Sequence, residues 1–188
     1  MPTPPSLPGF SAPAAGFDAP MEMLAACHDR VRRSADRLLR IAERVAAGRV
    51  DATVRDAARD VLRYFDVAAP QHHEDEERHV FPAVLAGCGD AALRDAVALL
   101  QRQHLELHAL WATLRVPLQA LADGDDLAFD AAAQDAAARF AALYARHAGV
   151  EETLVFPAAA ARLSPDALEA IGAEMAQRRG VRLPTTTR

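Results

Sequence analysis

The sequence predicts an all-α fold, an antiparallel up-down-up-down four-helix bundle with a short C-terminal helix. Three observations lead there. Apolar positions recur at steps of three and four through four long segments, the pattern of helix faces that pack on one another. Helix-start and helix-stop residues punctuate those segments. Alanine is the largest part of the 51% hydrophobic content, with only 5% aromatic residues, which favours close-packed helices over strands.

The elements follow in order. Residues 1–17 form a Pro-rich N-terminal tail, and residues 18–161 carry the bundle. Asp18 is a candidate N-cap for helix 1, Pro20 sits in its first turn and Gly48 stops it. Its seam reads Met21, Leu24, His28, Val31, Ala35, Leu38, Ala42 and Val45. Asp51 can cap helix 2, whose seam is Val54, Ala58, Val61, Phe65, Ala68, His72 and Glu76, with a kink expected at Pro70 and an end near Gly87. Asp90 can cap helix 3, with Leu93, Val97, Leu100, His104, Leu107, Trp111, Leu114, Leu118 and Leu121 inside and a bend expected at Pro117. Asp126 opens helix 4, where Ala133, Ala136, Phe140, Leu143, His147, Glu151 and Leu154 share a stripe. Residues 162–188 make a short helix, begun by Ser164-Pro165-Asp166, and a frayed tail. Short turns between sequential long helices favour antiparallel neighbours.

Composition narrows the partners. A net charge of -5, with arginines scattered among acidic residues, provides no basic face for nucleic acid. The N-terminal segment has neither the positive region nor the apolar core of a secretory signal, and no apolar run reaches about 18 residues, the length of a membrane span. The two cysteines, Cys27 and Cys88, make no disulfide framework, and Cys27 reads as a small buried thiol. A cytoplasmic protein, bound to neither membrane nor nucleic acid, is expected.

The chemistry lies in a repeat. Residues 72–82 and 147–157 both read HxxxEExxVFP in constant register. Residues four apart share a helix face, so His72 with Glu76 and His147 with Glu151 each form a two-toothed ligand suited to iron, manganese or zinc. Helix 3 adds His104 and His108, also four apart, and helix 1 adds His28. Buried imidazoles need partners. Five histidines and two carboxylates are more than one metal ion needs, and two ions bridged by the glutamates use every group. Glu152 stays an alternative to Glu151 as the bridge. His73, Glu77 and Glu152 otherwise read as solvated or outer residues, since each is turned some 100° from its neighbour on the helix. His79 is expected at the surface, EDEER as a solvated face and Trp111 as core packing.

Taken together, the His28 helix, the two HxxxEExxVFP segments and the His104 helix resemble the hemerythrin family of cation-binding domains, over about residues 18 to 160. The resemblance implies two iron ions, bridged further by oxo or hydroxo, with manganese or zinc as substitutes. It implies that His104, His108 and His147 bind one ion, that His28 and His72 bind the other, and that Glu76 and Glu151 bridge them. An open coordination position would take O2 or NO. The oxygen carriers of the family place an aspartate five residues after the helix 4 histidine, where this chain has Glu152, with Glu151 at four. The expected function is that of a non-enzymatic di-iron protein that binds or senses O2, NO or iron. The alternative is a nitric-oxide or peroxide reductase, or an iron donor in iron-sulfur repair. A third reading is a regulatory module that responds to iron.

Overall fold

The computed structural model describes residues 16–183. Within them the chain forms helices α1 (Pro20–Ala46), α2 (52–85), α3 (Ala91–Asp123), α4 (131–160) and α5 (Pro165–Arg178), with no strand. The expected tail lies mostly outside the described residues, as do residues 184–188. None of the described helices is long and apolar enough to cross a membrane.

Local signals set most of the boundaries. The carboxylates of Asp51, Asp90 and Asp130 and the hydroxyl of Ser164 accept from the free N–H groups at the starts of α2, α3, α4 and α5. Two expected caps are corrected. Residue 19 is the N-cap of α1 and Asp18 makes no cap bond there. Asp130 rather than Asp126 opens α4, and Asp126 instead pairs with Arg55 at 2.8 Å. Gly124, at φ 111, supplies the left-handed residue that ends α3.

Neither Pro70 nor Pro82 ends α2, and Pro157 does not end α4. Each is preceded by one π turn, at Tyr64–Ala68, Glu76–Val80 and Glu151–Val155, ending two residues before the proline. The turns close with bonds from Ala69 N–H to Tyr64 O, Phe81 N–H to Glu76 O and Phe156 N–H to Glu151 O. A proline ring inside a helix crowds the carbonyl four residues back and donates nothing. Widening the turn before it by one residue lets the helix continue. Pro117 is carried within α3 with no such turn.

The four long helices form a bundle in which α1 packs on α2 and α4, and α3 on the same two. Along α2, residues Arg55, Arg59, Asp66 and Glu77 meet Asp126, Ala122, Trp111 and Gln101, so α2 and α3 run in opposite senses. Two apolar clusters fill the interior. One joins Leu38, Ile41, Phe65, Leu114, Leu118, Phe140 and their neighbours, and the other joins Leu24, Phe81, Val84, Val97, Leu100, Phe156 and Met175. Between these clusters every long helix buries polar residues: His28, then His72, His73, Asp75 and Glu76, then Gln103 with His104, then His147 with Glu151. A polar layer in an apolar core costs several kcal/mol unless its groups are paired, so it marks the site.

The helix α5 docks beside that layer. Gly172 lies so close to the Phe17 carbonyl that a Cβ there would overlap its oxygen. Arg178 and Arg179 both pair with Asp75, which is fully buried between His72 and Glu76. His79 meets Glu174 at 2.7 Å. Asp75 is therefore inside, not on the solvated face expected for the acidic run.

Candidate metal centre

Six of the seven residues expected to bind metal converge: His28, His72, Glu76, His104, His147 and Glu151 are all buried. With His73 they form two overlapping groups that could each hold a metal ion. One is His73, Glu76, His104 and His147, and the other is His28, His72, Glu76 and Glu151. Glu76 belongs to both. Its Oε1 lies 3.0 Å from His72 Nε2 and its Oε2 lies 3.3 Å from His104 Nε2. Glu151 spans in the same way, with Oε1 3.1 Å from His147 Nε2 and Oε2 3.1 Å from His28 Nε2.

The remaining position departs from expectation. His108 is exposed and belongs to neither group, whereas His73 is buried and belongs to one. The cause is the π turn at Tyr64–Ala68. An unbroken three-four stripe runs from Phe65 to Ala68 and His72 and leaves His73 outside. The extra residue moves the buried stripe to Ala69 and brings His73 in beside His72. A parallel shift follows the π turn in α4, where Val155 is buried and Leu154 is 38% exposed. Pro70 was the available signal for His73, since a proline inside a continuing helix often marks a change of register.

His73 stacks on His104 with ring centroids 4.1 Å apart. Its Nε2 lies 3.3 Å from the buried Tyr144 hydroxyl and its Nδ1 lies 3.4 Å from His108 Nε2. Two glutamates read as outer residues touch the far nitrogens of site histidines: Glu77 Oε1 is 2.9 Å from His104 Nδ1, and Glu152 Oε1 is 2.9 Å from His28 Nδ1. Glu152 is held in turn by Arg32 at 2.6 Å. Gln103 Oε1 lies 3.1 Å from His147 Nδ1.

These partners dictate where the protons go. A carboxylate or an amide oxygen only accepts, so His104 and His147 donate through Nδ1. In neutral imidazoles their Nε2 lone pairs then point at one another across 3.2 Å. Both carboxylate oxygens of Glu76 and of Glu151, together with His28 Nε2 and His72 Nε2, lack any hydrogen-bond partner although buried. Lone pairs converge on lone pairs, which is repulsive until a cation accepts them.

The electrostatics agree. Burial, reinforced by the other histidines, lowers His72 and His73 well below the usual imidazole range, and burial with His147 nearby takes His104 to about 4. The three histidines are neutral, the form that binds metal. Burial and then the neighbouring Glu151 charge push Glu76 well above the usual carboxylate range. Burial acts on Glu151 in the same direction, and an N–H or positive charge on the His147 and His28 side outweighs it and holds Glu151 low, the role that a cation between them fills. Two carboxylates this close cannot both carry charge cheaply in a dry interior.

The donor set is imidazole and carboxylate, it divides into two overlapping groups that could each hold a cation, and its unpaired atoms are buried. It therefore fits metal cations. The chain matches the hemerythrin HHE cation binding domain over residues 19–159. It is also 32% identical over 168 residues to a protein of Haemophilus influenzae described only as uncharacterized, covering 89% of this chain and 94% of that one. The chain belongs to the hemerythrin HHE cation-binding family.

Proposed function

We propose that this protein holds two iron ions in an up-down-up-down bundle and uses them to bind or sense O2, NO or iron in the cytoplasm. One observation carries the reading. Glu76 and Glu151 each reach with one oxygen toward a histidine of one group and with the other toward a histidine of the second. That disposition would let both carboxylates bridge two ions. His73, His104 and His147 would hold one ion and His28 with His72 the other, each sharing both glutamates. When bound, the pair supplies redox chemistry to a diatomic ligand, while the chain's own residues hold the donors in place and exclude water.

A donor set with more nitrogen than carboxylate leaves less negative charge on the metals, which favours reversible binding over oxidative turnover. Metal analysis of protein expressed in iron-replete medium should return close to two ions per chain, and one or none refutes the two-ion reading. Exposing the reduced iron form to O2 should produce a visible band that disappears on deoxygenation. Irreversible oxidation without that band, or sustained turnover of NO or peroxide with a reductant, would favour an enzyme.

A further inference from the structure

The repeat divides the centre into two equivalent halves. In one, α2 supplies His72, Glu76 and Glu77, and α3 supplies His104. In the other, α4 supplies His147, Glu151 and Glu152, and α1 supplies His28. Each half has the same contacts. The first glutamate lies against the Nε2 of the neighbouring helix's histidine, Glu76 with His104 at 3.3 Å and Glu151 with His28 at 3.1 Å. The second lies against the Nδ1 of that same ring, at 2.9 Å in both halves. Consecutive residues of a regular helix point about 100° apart. Here both reach one imidazole, and in both halves a π turn begins at the first glutamate.

We propose that Glu77 and Glu152 are positioning residues of the metal centre: each completes, with the glutamate before it, a two-ended grip on one histidine, His104 or His28, that fixes which ring nitrogen faces the metal. The inference rests on the two-metal reading. An outer carboxylate that accepts from the far N–H of a ligating imidazole sets its tautomer and orientation and raises its basicity. Because His104 and His28 belong to different metal groups, each grip serves one ion.

The halves differ in what surrounds the grip. The residue four after His104 is His108, which touches His73, whereas the residue four after His28 is Arg32, which touches Glu152. The counterpart of His73 in the repeat is Ala148. The His28 half thus lacks the extra imidazole and carries a guanidinium that neutralises its outer glutamate.

Zinc, which is diamagnetic, is a suitable probe. Glu77→Leu and Glu152→Leu should each speed zinc release to a chelator from one of the two positions by about 10–100-fold, the usual effect of losing such a partner. The two variants should affect different release phases. Glu77→Gln and Glu152→Gln, which keep an accepting oxygen, should recover most of the wild-type rate. Nitrogen-15 spectra should show a protected Nδ1 proton on His104 that disappears in Glu77→Leu alone, and on His28 in Glu152→Leu alone. Unchanged release, simultaneous loss of both ions, or Nδ1 protons that survive the leucine variants overturns the grip. If the wild-type protein takes up no metal, the two-metal reading fails, and the Nδ1 protons of the metal-free protein still decide the grip.

Discussion

His73 and His108 lie within 3.4 Å of one another, yet only His73 is buried. His73→Ala should weaken metal binding by about tenfold or more, the scale at which even outer partners act, whereas His108→Ala should change it little. Zinc competition titrations of both variants test this, and the reverse ranking would return the third nitrogen to His108. Glu76→Ala and Glu151→Ala should each abolish binding of both ions, since each glutamate faces histidines of both groups. The depressed histidines also set a pH dependence for the metal-free protein. His104 titrates at about 4 in the folded chain and at about 6.5 when unfolded. Between those values the unfolded chain holds more protons, so stability is full above pH 6.5 and is lost as pH falls toward 4. His72 and His73 act in the same direction, and Glu76, raised by burial, offsets part of the loss. By pH 5 His104 alone removes about 2 kcal/mol. Urea midpoints of the metal-free protein at pH 7 and pH 5 measure it, and a midpoint that rises on acidification would contradict it.

At the scale of elements, the π turns do what an unbroken helix cannot. They carry the chain past a proline and re-aim the side chains that follow, so the π turn before the proline of each repeat both interrupts regular bonding and carries Glu77 or Glu152 onto its histidine. Stability and binding should therefore oppose each other at these positions. Pro82→Ala or Pro157→Ala restores a backbone donor and lets the segment relax to regular α-helix, removing a penalty of about 3 kcal/mol that the wider turn already relieves in part. Each variant should raise the melting temperature of the metal-free protein and lower its metal affinity. Calorimetry with zinc titration checks both, and a variant that keeps wild-type affinity would show that the π turn is dispensable.

For the molecule as a whole, the polar layer is tied down from outside the bundle. Asp75 is fully buried beside the ligands, and its partners are Arg178, the last residue of α5, and Arg179 just beyond it. Removing the partners of a buried charge costs about 3–5 kcal/mol because the charge is left unpaired. Replacing both arginines with methionine should destabilise the fold by that amount, and adding Asp75→Asn should recover much of it. Denaturant unfolding of the double and triple variants gives the answer; a double variant as stable as wild type would reduce α5 to an appendage. Metal should act on the same equilibrium, raising stability by about 4 kcal/mol when the free ion is at a thousand times its dissociation constant.

The helices, most of their caps, the matched HxxxEExxVFP segments and six of the residues that meet in the core follow from amino-acid order alone, because periodicity and capping are local properties of the chain. The α3 stripe was legible from Leu93 to Leu121 because no π turn interrupts it. Packing between helices set the rest. It brought His73 in and left His108 out, moved the α4 seam from Leu154 to Val155, buried Asp75 against α5 and turned Glu77 and Glu152 onto His104 and His28. The physical reason is common to these differences. A residue added to one turn, or a partner arriving from a distant helix, changes which face is buried without disturbing the sequence pattern that predicts a helix.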